Sequence, residues 1–203
     1  MQSTMLVTGG KGDLGQAIAK HFCGQMLVYS PGSSELDVSD KEKVSEYMKN
    51  KNVDILINNA GTIHPKAILD SDEEQWERDI KVNLIGTYLV TKKTLEKNPS
   101  AIIINIASTA AFNAYPNWSS YCSSKAGVVT LTKSLANDSF AAYVLCPGAI
   151  RTKFRDNLGL DNSNEMDPRM VTEQITKILS GKYNSGDVIF FRKNEIKINP
   201  TFG

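Results

Sequence analysis

The chain alternates between short apolar runs and longer segments in which apolar residues recur every three or four positions. Short apolar runs bounded by turn residues predict strands, and the longer period predicts amphipathic helices. Strands are predicted at 5–8, 26–29, 36–38, 54–57, 101–106, 140–145 and 187–191, with helices at 14–23, 39–50, 71–97, 117–137 and 168–179. This alternation indicates parallel pairing with right-handed crossovers. We therefore expect an α/β fold, a single doubly wound domain over residues 1–203 with a parallel sheet of about seven strands.

Three helix starts carry capping signals. Ser39 with Glu42, and Ser71 with Glu74, have the spacing of a capping box. Asp167 followed by Pro168 has the pattern of an N-cap with proline at the first helical position.

Composition excludes several classes of function. Lysine and arginine number 23 against 22 aspartates and glutamates, a net charge of +1 that predicts neither nucleic-acid nor polybasic membrane binding. No apolar run has the roughly 18 residues that span a bilayer. Cys23, Cys122 and Cys146 form no C-x-x-C pair, and with only two histidines no metal site is expected. These features predict a soluble cytoplasmic protein with reduced thiols.

A glycine-rich loop separates the first predicted strand from the first helix. Residues 10–15 have the pattern G-x-G-x-x-G, in which glycines let the backbone approach a pyrophosphate at a helix N-terminus. The alternative is a simple tight turn, but the position after the first strand favours a nucleotide in a Rossmann domain.

The end of the second predicted strand bears on which nucleotide binds. An acidic residue there would hold a ribose 2′-hydroxyl, but none occurs before Glu35. Side chains that could contact a 2′-phosphate are Lys11, Ser30, Ser33 and Ser34. This arrangement favours NADP over NAD, although no arginine is present to decide between them.

Tyr121 and Lys125 form a Y-x-x-x-K pair, which places phenol and ammonium on one face of a helix. A neighbouring cation favours the phenolate and lowers the tyrosine pKa toward the range useful for acid–base chemistry. Considered alone, the Y-x-x-x-K pair is typical of a solvated helix face. Ser108 alone is typical of a turn residue, and Asn83 alone of a polar group in helix packing. Ser108, however, follows a buried strand at its carboxyl end, where open α/β sheets bind ligands.

Together these motifs resemble the short-chain dehydrogenase/reductase family over nearly the whole chain. Ser108 and Tyr121 have the family's usual spacing. The matching segments are Thr8-Gly9 through Gly15, Leu36-Asp37-Val38, Asn58-Asn59-Ala60-Gly61, Val82-Asn83, Ser108, Tyr121 with Lys125, and Pro147-Gly148 through Thr152.

The resemblance implies a role for each matching residue. Tyr121 exchanges the proton with the substrate oxygen, Ser108 holds that oxygen, and Lys125 contacts the nicotinamide ribose. Asn83 holds a water in the proton relay. For the cofactor, the resemblance implies pyrophosphate contacts at Gly9, Lys11, Gly12, Leu14 and Gly15, and adenine contacts at Asp37 and Val38. It implies that Asn59, Ala60 and Gly61 line the middle of the cofactor. The nicotinamide carboxamide contacts that it implies are Pro147, Gly148, Ile150 and Thr152.

Two features depart from the family pattern. Asp13 occupies the position of a family glycine, where a carboxylate repels a pyrophosphate unless it turns away or caps the helix. The chain is also short: a helix is missing after the second strand, and the substrate lid, residues 153–167, is reduced. An open substrate pocket is therefore expected, flanked by Tyr115, Trp118 and Phe154, although each of these is as consistent with ordinary packing.

The leading hypothesis is an NADP- or NAD-dependent oxidoreductase that interconverts a carbonyl and a secondary alcohol of a small molecule. The alternatives are a nucleotide-sensing regulatory protein and a sugar-nucleotide epimerase-like enzyme on the same fold. The resemblance also implies a homodimer or homotetramer, formed through the long helices that follow strands 54–57 and 101–106.

Overall fold

The computed structural model describes residues 2–156, 158 and 163–201. Within these residues the strands are β1 Thr4–Val7, β2 Leu27–Tyr29, β3 Ile55–Asn58, β4 Ile102–Ile106, β5 Ala142–Pro147, β6 Val188–Arg192 and β7 Glu195–Ile198. The α-helices are α1 Asp13–Phe22, α2 Lys41–Met48, α3 Glu73–Ile80, α4 Gly86–Lys97, α5 Ser119–Asn137, α6 Lys153–Asp156 and α7 Arg169–Leu179. Short 3₁₀ turns lie at Ile68–Asp70 and Thr109–Ala111, and a π-helical turn at Lys81–Ile85 joins α3 to α4.

The strands form one sheet in the order β2-β1-β3-β4-β5-β6-β7. All neighbouring pairs from β2 to β6 are parallel, and only β6 and β7 pair antiparallel. The predicted doubly wound α/β fold is confirmed. Parallel pairing brings the carboxyl ends of β1, β3, β4 and β5 to one edge of the sheet.

The core lies on both faces of the sheet because alternate strand residues point in opposite directions. Met5 and Val7 of β1 pack with Phe22 of α1 on one face, in a cluster that includes residues of α7. Leu6 points to the opposite face, in a cluster that includes Val44 of α2. Both faces are covered, which explains the continuous apolar character of the inner strands.

Residues 36–38 are not a strand, which corrects one prediction. The Asp37 carboxylate accepts hydrogen bonds from the Ser39 main-chain N–H and hydroxyl at 3.0 and 2.6 Å, and this Asx turn competes with sheet pairing. The seventh strand is instead β7, which returns antiparallel beside β6 after a tight turn at the polar residues Lys193 and Asn194.

The two capping boxes are also wrong by one residue. Asp40 caps α2 by accepting from the N–H groups of Glu42 and Lys43, and Asp72 caps α3 by accepting from Gln75 N–H. Each aspartate follows a serine that could serve the same purpose, so the sequence offers two adjacent candidates. The helix predicted over 71–97 is α3 and α4 with the π-helical turn between them.

Candidate functional site

A cavity of about 1150 Å³ runs along the carboxyl ends of β1, β3, β4 and β5. Almost all the residues expected to bind cofactor or substrate line it. They are Gly9, Lys11, Gly12, Leu14, Gly15, Asp37, Val38, Asn59, Ala60, Gly61, Ser108, Tyr121, Lys125, Pro147, Gly148, Ile150 and Thr152. The three exceptions are Ser30, Ser34 and Asn83, which do not line the cavity.

The glycine loop follows β1 and is packed too tightly for side chains at most of its glycines. Gly9 has φ +62°, and a Cβ there would lie 2.9 Å from Ala60 Cα. A Cβ on Gly15 would lie 2.5 Å from the Gly9 carbonyl oxygen. Gly12 differs, because its Cβ would meet no protein atom closer than 3.5 Å. Its missing side chain therefore leaves open space on the cavity side, of the kind a phosphate group needs.

Hydrogen bonds fix this loop to the end of β3. The Thr8 hydroxyl accepts from the N–H groups of Asn59 and Ala60 at 3.0 and 3.1 Å. The Asn59 side-chain amide donates to the Thr8 carbonyl at 3.0 Å. The glycine loop and the segment after β3 therefore form one rigid wall of the cavity.

The N-terminus of α1 faces the cavity without a side-chain cap. Asp13, the residue that departs from the family pattern, also lines the cavity, but its carboxylate is engaged by a 2.6 Å hydrogen bond that it accepts from the Lys153 main-chain N–H. The positive end of the helix dipole therefore remains available to an anion. The open space at Gly12 and this uncapped helix end fit the pyrophosphate of a dinucleotide.

The segment after β2 differs from the expectation at Ser30 and Ser34, neither of which lines the cavity. Ser30 lies directly against Gly10, whose Cβ would come within 2.5 Å of it, and not in the cavity. Gly32 and Ser33 line the cavity instead. Glu35 folds back so that its carboxylate accepts from Gly32 N–H at 3.0 Å and lies 3.8 Å from the Lys11 ammonium.

Tyr121 and Lys125 project from α5 toward the middle of the cavity. Ser108, just after β4, lies beside the Tyr121 side chain, and its hydroxyl acts to lower the pKa of Tyr121. Lys125 Nζ lies 5.6 Å from the centroid of the Tyr121 ring and donates to the Ile106 carbonyl at 2.9 Å. Three of the four residues proposed for catalysis therefore come together at one point, where the carboxyl end of β4 meets α5.

In the free protein, burial is the largest influence on the pKa values of Tyr121 and Lys125. It raises the pKa of Tyr121 to about 12, against the opposing effect of the Ser108 hydroxyl. It lowers the pKa of Lys125 to about 8. The lowered tyrosine pKa expected from the Y-x-x-x-K spacing is therefore not present in the free chain, because desolvation is the largest influence on the pKa of Tyr121.

Asn83 lies in the π-helical turn and is fully buried. Its carboxamide oxygen accepts from Thr62 N–H at 2.8 Å, and its nitrogen donates to the Thr62 carbonyl and the Ser124 hydroxyl at 2.9 and 3.0 Å. A Cβ on Gly61 would lie 3.2 Å from this oxygen and 3.6 Å from Lys125 Nζ. Asn83 therefore approaches the cavity through the space left by Gly61.

Comparison with known proteins points to the same family as the motifs in the cavity. A family model described as short chain dehydrogenase matches residues 32–163. The chain belongs to the short-chain dehydrogenase family. An uncharacterised oxidoreductase of Thermotoga maritima is 35% identical over 72% of this chain and 71% of its own. The 2-dehydro-3-deoxy-D-gluconate 5-dehydrogenase of Bacillus subtilis is 34% identical over 73% of this chain and 71% of its own.

A solved structure agrees with these sequence relatives. The 3-ketoacyl-(acyl-carrier-protein) reductase from Brucella melitensis, complexed with NADH, matches this short-chain dehydrogenase with a TM-score of 0.82. The two are 25% identical, and the match covers 95% of this chain and 97% of that one. The structural similarity thus extends over nearly the whole of both chains.

The far end of the cavity of this short-chain dehydrogenase contains residues that the motifs do not predict. The turn between β6 and β7 lines it, together with the two strand residues that flank this turn, Arg192 and Glu195, and with Arg155. Tyr115, Trp118 and Phe154 also line it, and the Phe154 ring lies 6.5 Å from the Tyr121 ring, centroid to centroid. Residues 157 and 159–162 of the expected lid lie outside the described residues. The only sequence signal for this end was the aromatic content near Tyr121.

The described ranges contain no cluster of three or more His, Cys, Asp or Glu side chains placed to hold a metal ion. In the same ranges, no helix has the length and apolar character of a bilayer span.

Proposed function

We propose that this short-chain dehydrogenase transfers hydride between a nicotinamide dinucleotide and a carbonyl or secondary alcohol of a small molecule. The observation that carries the proposal is that Ser108, Tyr121 and Lys125 line the same cavity as the glycine loop. The open sheet edge is also where α/β folds bind nucleotides.

The cofactor, when bound, supplies or accepts the hydride, and the protein supplies orientation and the proton. Gly12 and the α1 N-terminus would hold its pyrophosphate, and Asp37 and Val38 would flank its adenine. Asn59, Ala60 and Gly61 would line its middle, with Pro147, Gly148, Ile150 and Thr152 at its carboxamide. Support comes from the lining of the cavity, where all these residues occur.

Tyr121 donates a proton to the carbonyl oxygen in reduction and takes one from the hydroxyl in oxidation. Ser108 supports this assignment, because it lies beside the phenol in the same cavity and its hydroxyl can hold a substrate oxygen at that point. Lys125 keeps a positive charge near that oxygen below its pKa of about 8. Asn83 would hold the water of the proton relay, and its own position is fixed by its hydrogen bonds to Thr62 and Ser124.

NADP is favoured over NAD on the residues after β2. Ser33 lines the cavity and the Lys11 ammonium is nearby, and both suit a 2′-phosphate. Glu35 opposes this preference, since its carboxylate lies 3.8 Å from the same ammonium. We therefore expect NADPH to bind at least as tightly as NADH.

Calorimetric or fluorescence titration with NADPH and NADH tests the first half of the proposal. A panel of small ketones, keto acids and aldoses, assayed by cofactor absorbance, tests the second. Saturable binding followed by turnover of one class supports an oxidoreductase. Tight binding with no turnover across the panel would favour the regulatory alternative, and absence of binding would overturn both.

A further inference from the structure

Asp79 is a fully buried carboxylate on α3 that no motif predicts. It accepts hydrogen bonds from the Thr62 hydroxyl at 2.8 Å and from the Ser120 hydroxyl at 2.6 Å. Its remaining contacts are with His64, through the main-chain N–H at 3.0 Å and ring Nδ1 at 2.8 Å. A buried carboxylate is strongly destabilising unless its oxygens are hydrogen-bonded, and here both oxygens have two partners.

These contacts form one of two polar bridges that link α5 to the helical segment made of α3 and the π-helical turn after it. Asp79 bonds to Ser120, and Asn83 bonds to Ser124. The bridging residues are four positions apart on each side, so both bridges lie on one face of each helix. Ser120 immediately precedes Tyr121, and Ser124 immediately precedes Lys125. The bridges therefore fix the rotation of α5 at the two turns that carry these side chains.

The same two residues hold the segment that follows β3. Asn83 bonds to the main chain of Thr62, while Asp79 bonds to the Thr62 hydroxyl and to His64. Thr62 directly follows Gly61, which lies between Asn83 and Lys125. A single carboxylate thus ties the cavity wall after β3 to the helix of Tyr121 and Lys125.

We propose that Asp79 is a positioning residue for the Tyr121–Lys125 pair, which holds α5 against the residue 61–64 segment and places a negative charge behind both side chains. Asp79 does not line the cavity, so it acts through its neighbours and not on the substrate. The kinetic part of this inference rests on the proposed oxidoreductase function, whereas the electrostatic part does not.

The charges that face Lys125 come from three elements. Tyr121 lies on its own helix, Cys146 on β5 and Asp79 on α3, with His64 in contact with Asp79. Burial lowers the pKa of Lys125 to about 8, and the charge of Asp79 works in the opposite direction. The same charge raises the pKa of Tyr121. Removing it should therefore lower both pKa values.

An NMR titration of the Lys125 ammonium in the free protein measures this effect without turnover. The signal is assigned by its loss in Lys125→Met. In Asp79→Asn we expect the Lys125 pKa to fall by about one unit, because the amide carries no charge. Asp54→Asn is the matched control, since Asp54 accepts from Thr4 N–H at the opposite end of the sheet. Equal Lys125 pKa values in wild type and Asp79→Asn would overturn the electrostatic role.

Kinetics of Ser120→Ala test the positioning role in a variant that keeps the carboxylate. We expect kcat to fall by about tenfold, as for one lost hydrogen bond to a charged group, with the KM for cofactor unchanged. Ser134→Ala, an exposed serine on the same helix, should leave kcat unchanged. A Ser120→Ala enzyme with wild-type kcat would overturn the positioning role.

These two measurements separate the possible failures. If the wild type binds cofactor but turns over no substrate, the proposed function fails, while the Lys125 titration still decides the electrostatic role of Asp79. If Asp79→Asn does not fold, Ser120→Ala remains as the test of positioning. A loss of stability in Asp79→Asn with no change in the Lys125 titration would assign the residue a purely structural role and overturn the proposal.

Discussion

The two ends of the cavity are built in different ways. At the proposed cofactor end, where the glycine loop lies, the wall is main chain in close contact, and a Cβ on Gly15 would lie 2.5 Å from the Gly9 carbonyl oxygen. At the proposed substrate end, the wall consists of long side chains, with Arg155 paired to Glu165 at 3.2 Å and Arg192 4.0 Å from Glu195. The cofactor end is defined by missing side chains and the substrate end by side chains that reach inward. Substitutions should therefore have larger effects at the first end than at the second.

The largest effect is expected at the cofactor end, from Gly15→Val. The added side chain collides with the backbone of Gly9 and Gly10, so the loop must move and binding of both NADPH and NADH should be lost. Gly24→Val is the control, since no atom lies within 4 Å of a Cβ at Gly24. Titration calorimetry with thermal unfolding measures both effects. Affinity within a few-fold of wild type would show that the nucleotide binds elsewhere.

Tyr121→Phe tests the point where the two ends meet. It removes the transferable proton while keeping the ring, so turnover should fall by about 10²–10⁴-fold, as expected for lost acid–base catalysis. The dissociation constant for cofactor should change little, in contrast to Gly15→Val. Tyr115→Phe makes the same change in the same cavity and should retain activity. Retention of most turnover in Tyr121→Phe would mean that another group moves the proton.

At the substrate end, Phe154→Ala should have a moderate effect. Loss of part of an apolar wall should raise the substrate KM by about three- to tenfold, with the cofactor dissociation constant unchanged. Leu69→Ala, at a residue that is 95% exposed and outside the cavity, serves as control. Steady-state kinetics at saturating cofactor measure the change. An equal rise in the cofactor constant would mean that the two ends are not independent.

The smallest effect is expected from Glu35→Gln. Neutralising the partner of Lys11 should raise the ratio of NADPH to NADH affinity by about threefold, within the range of an exposed ion pair. Paired titrations of both cofactors give the ratio, and Glu46→Gln on α2 should leave it unchanged. A fall in the ratio would show that Glu35 does not act against a 2′-phosphate.

Much of the fold and of the cofactor end could be predicted because they depend on local patterns. Strand alternation set the sheet, and the glycine loop required only the positions of residues that lack side chains. Ser30 was misplaced because a sequence cannot tell which side of a loop faces the cavity. Here Ser30 packs behind Gly10, and Ser33 lines the wall.

The substrate end and the Asp79 contacts depend on long-range packing and had no local signal. Ser120 and Asp79 are 41 residues apart, and Lys153 and Asp13 are 140 apart. Asp79 lies in a helix rich in charged residues, where the sequence alone predicts that a carboxylate is exposed to solvent. Only its burial in the structure indicates the proposed positioning role. The strand β7 was missed because its apolar residues Ile196 and Ile198 lie in a charged segment.

The π-helical turn at Lys81–Ile85 has a consequence for how this chain tolerates change in length. It sets the angular phase between α3, which carries Asp79, and α4, which begins at Gly86. A Cβ on Gly86 would lie 2.6 Å from Val38 Cγ2, so this helix has one acceptable orientation against the cofactor wall. A π-helical turn holds about one residue more than an α-helical turn, so deleting one residue there would restore a regular α-helix with nearly the same phase between α3 and α4. Inserting a residue would instead rotate α4 by about 100° relative to α3. Insertions there should therefore be excluded even where substitutions are accepted.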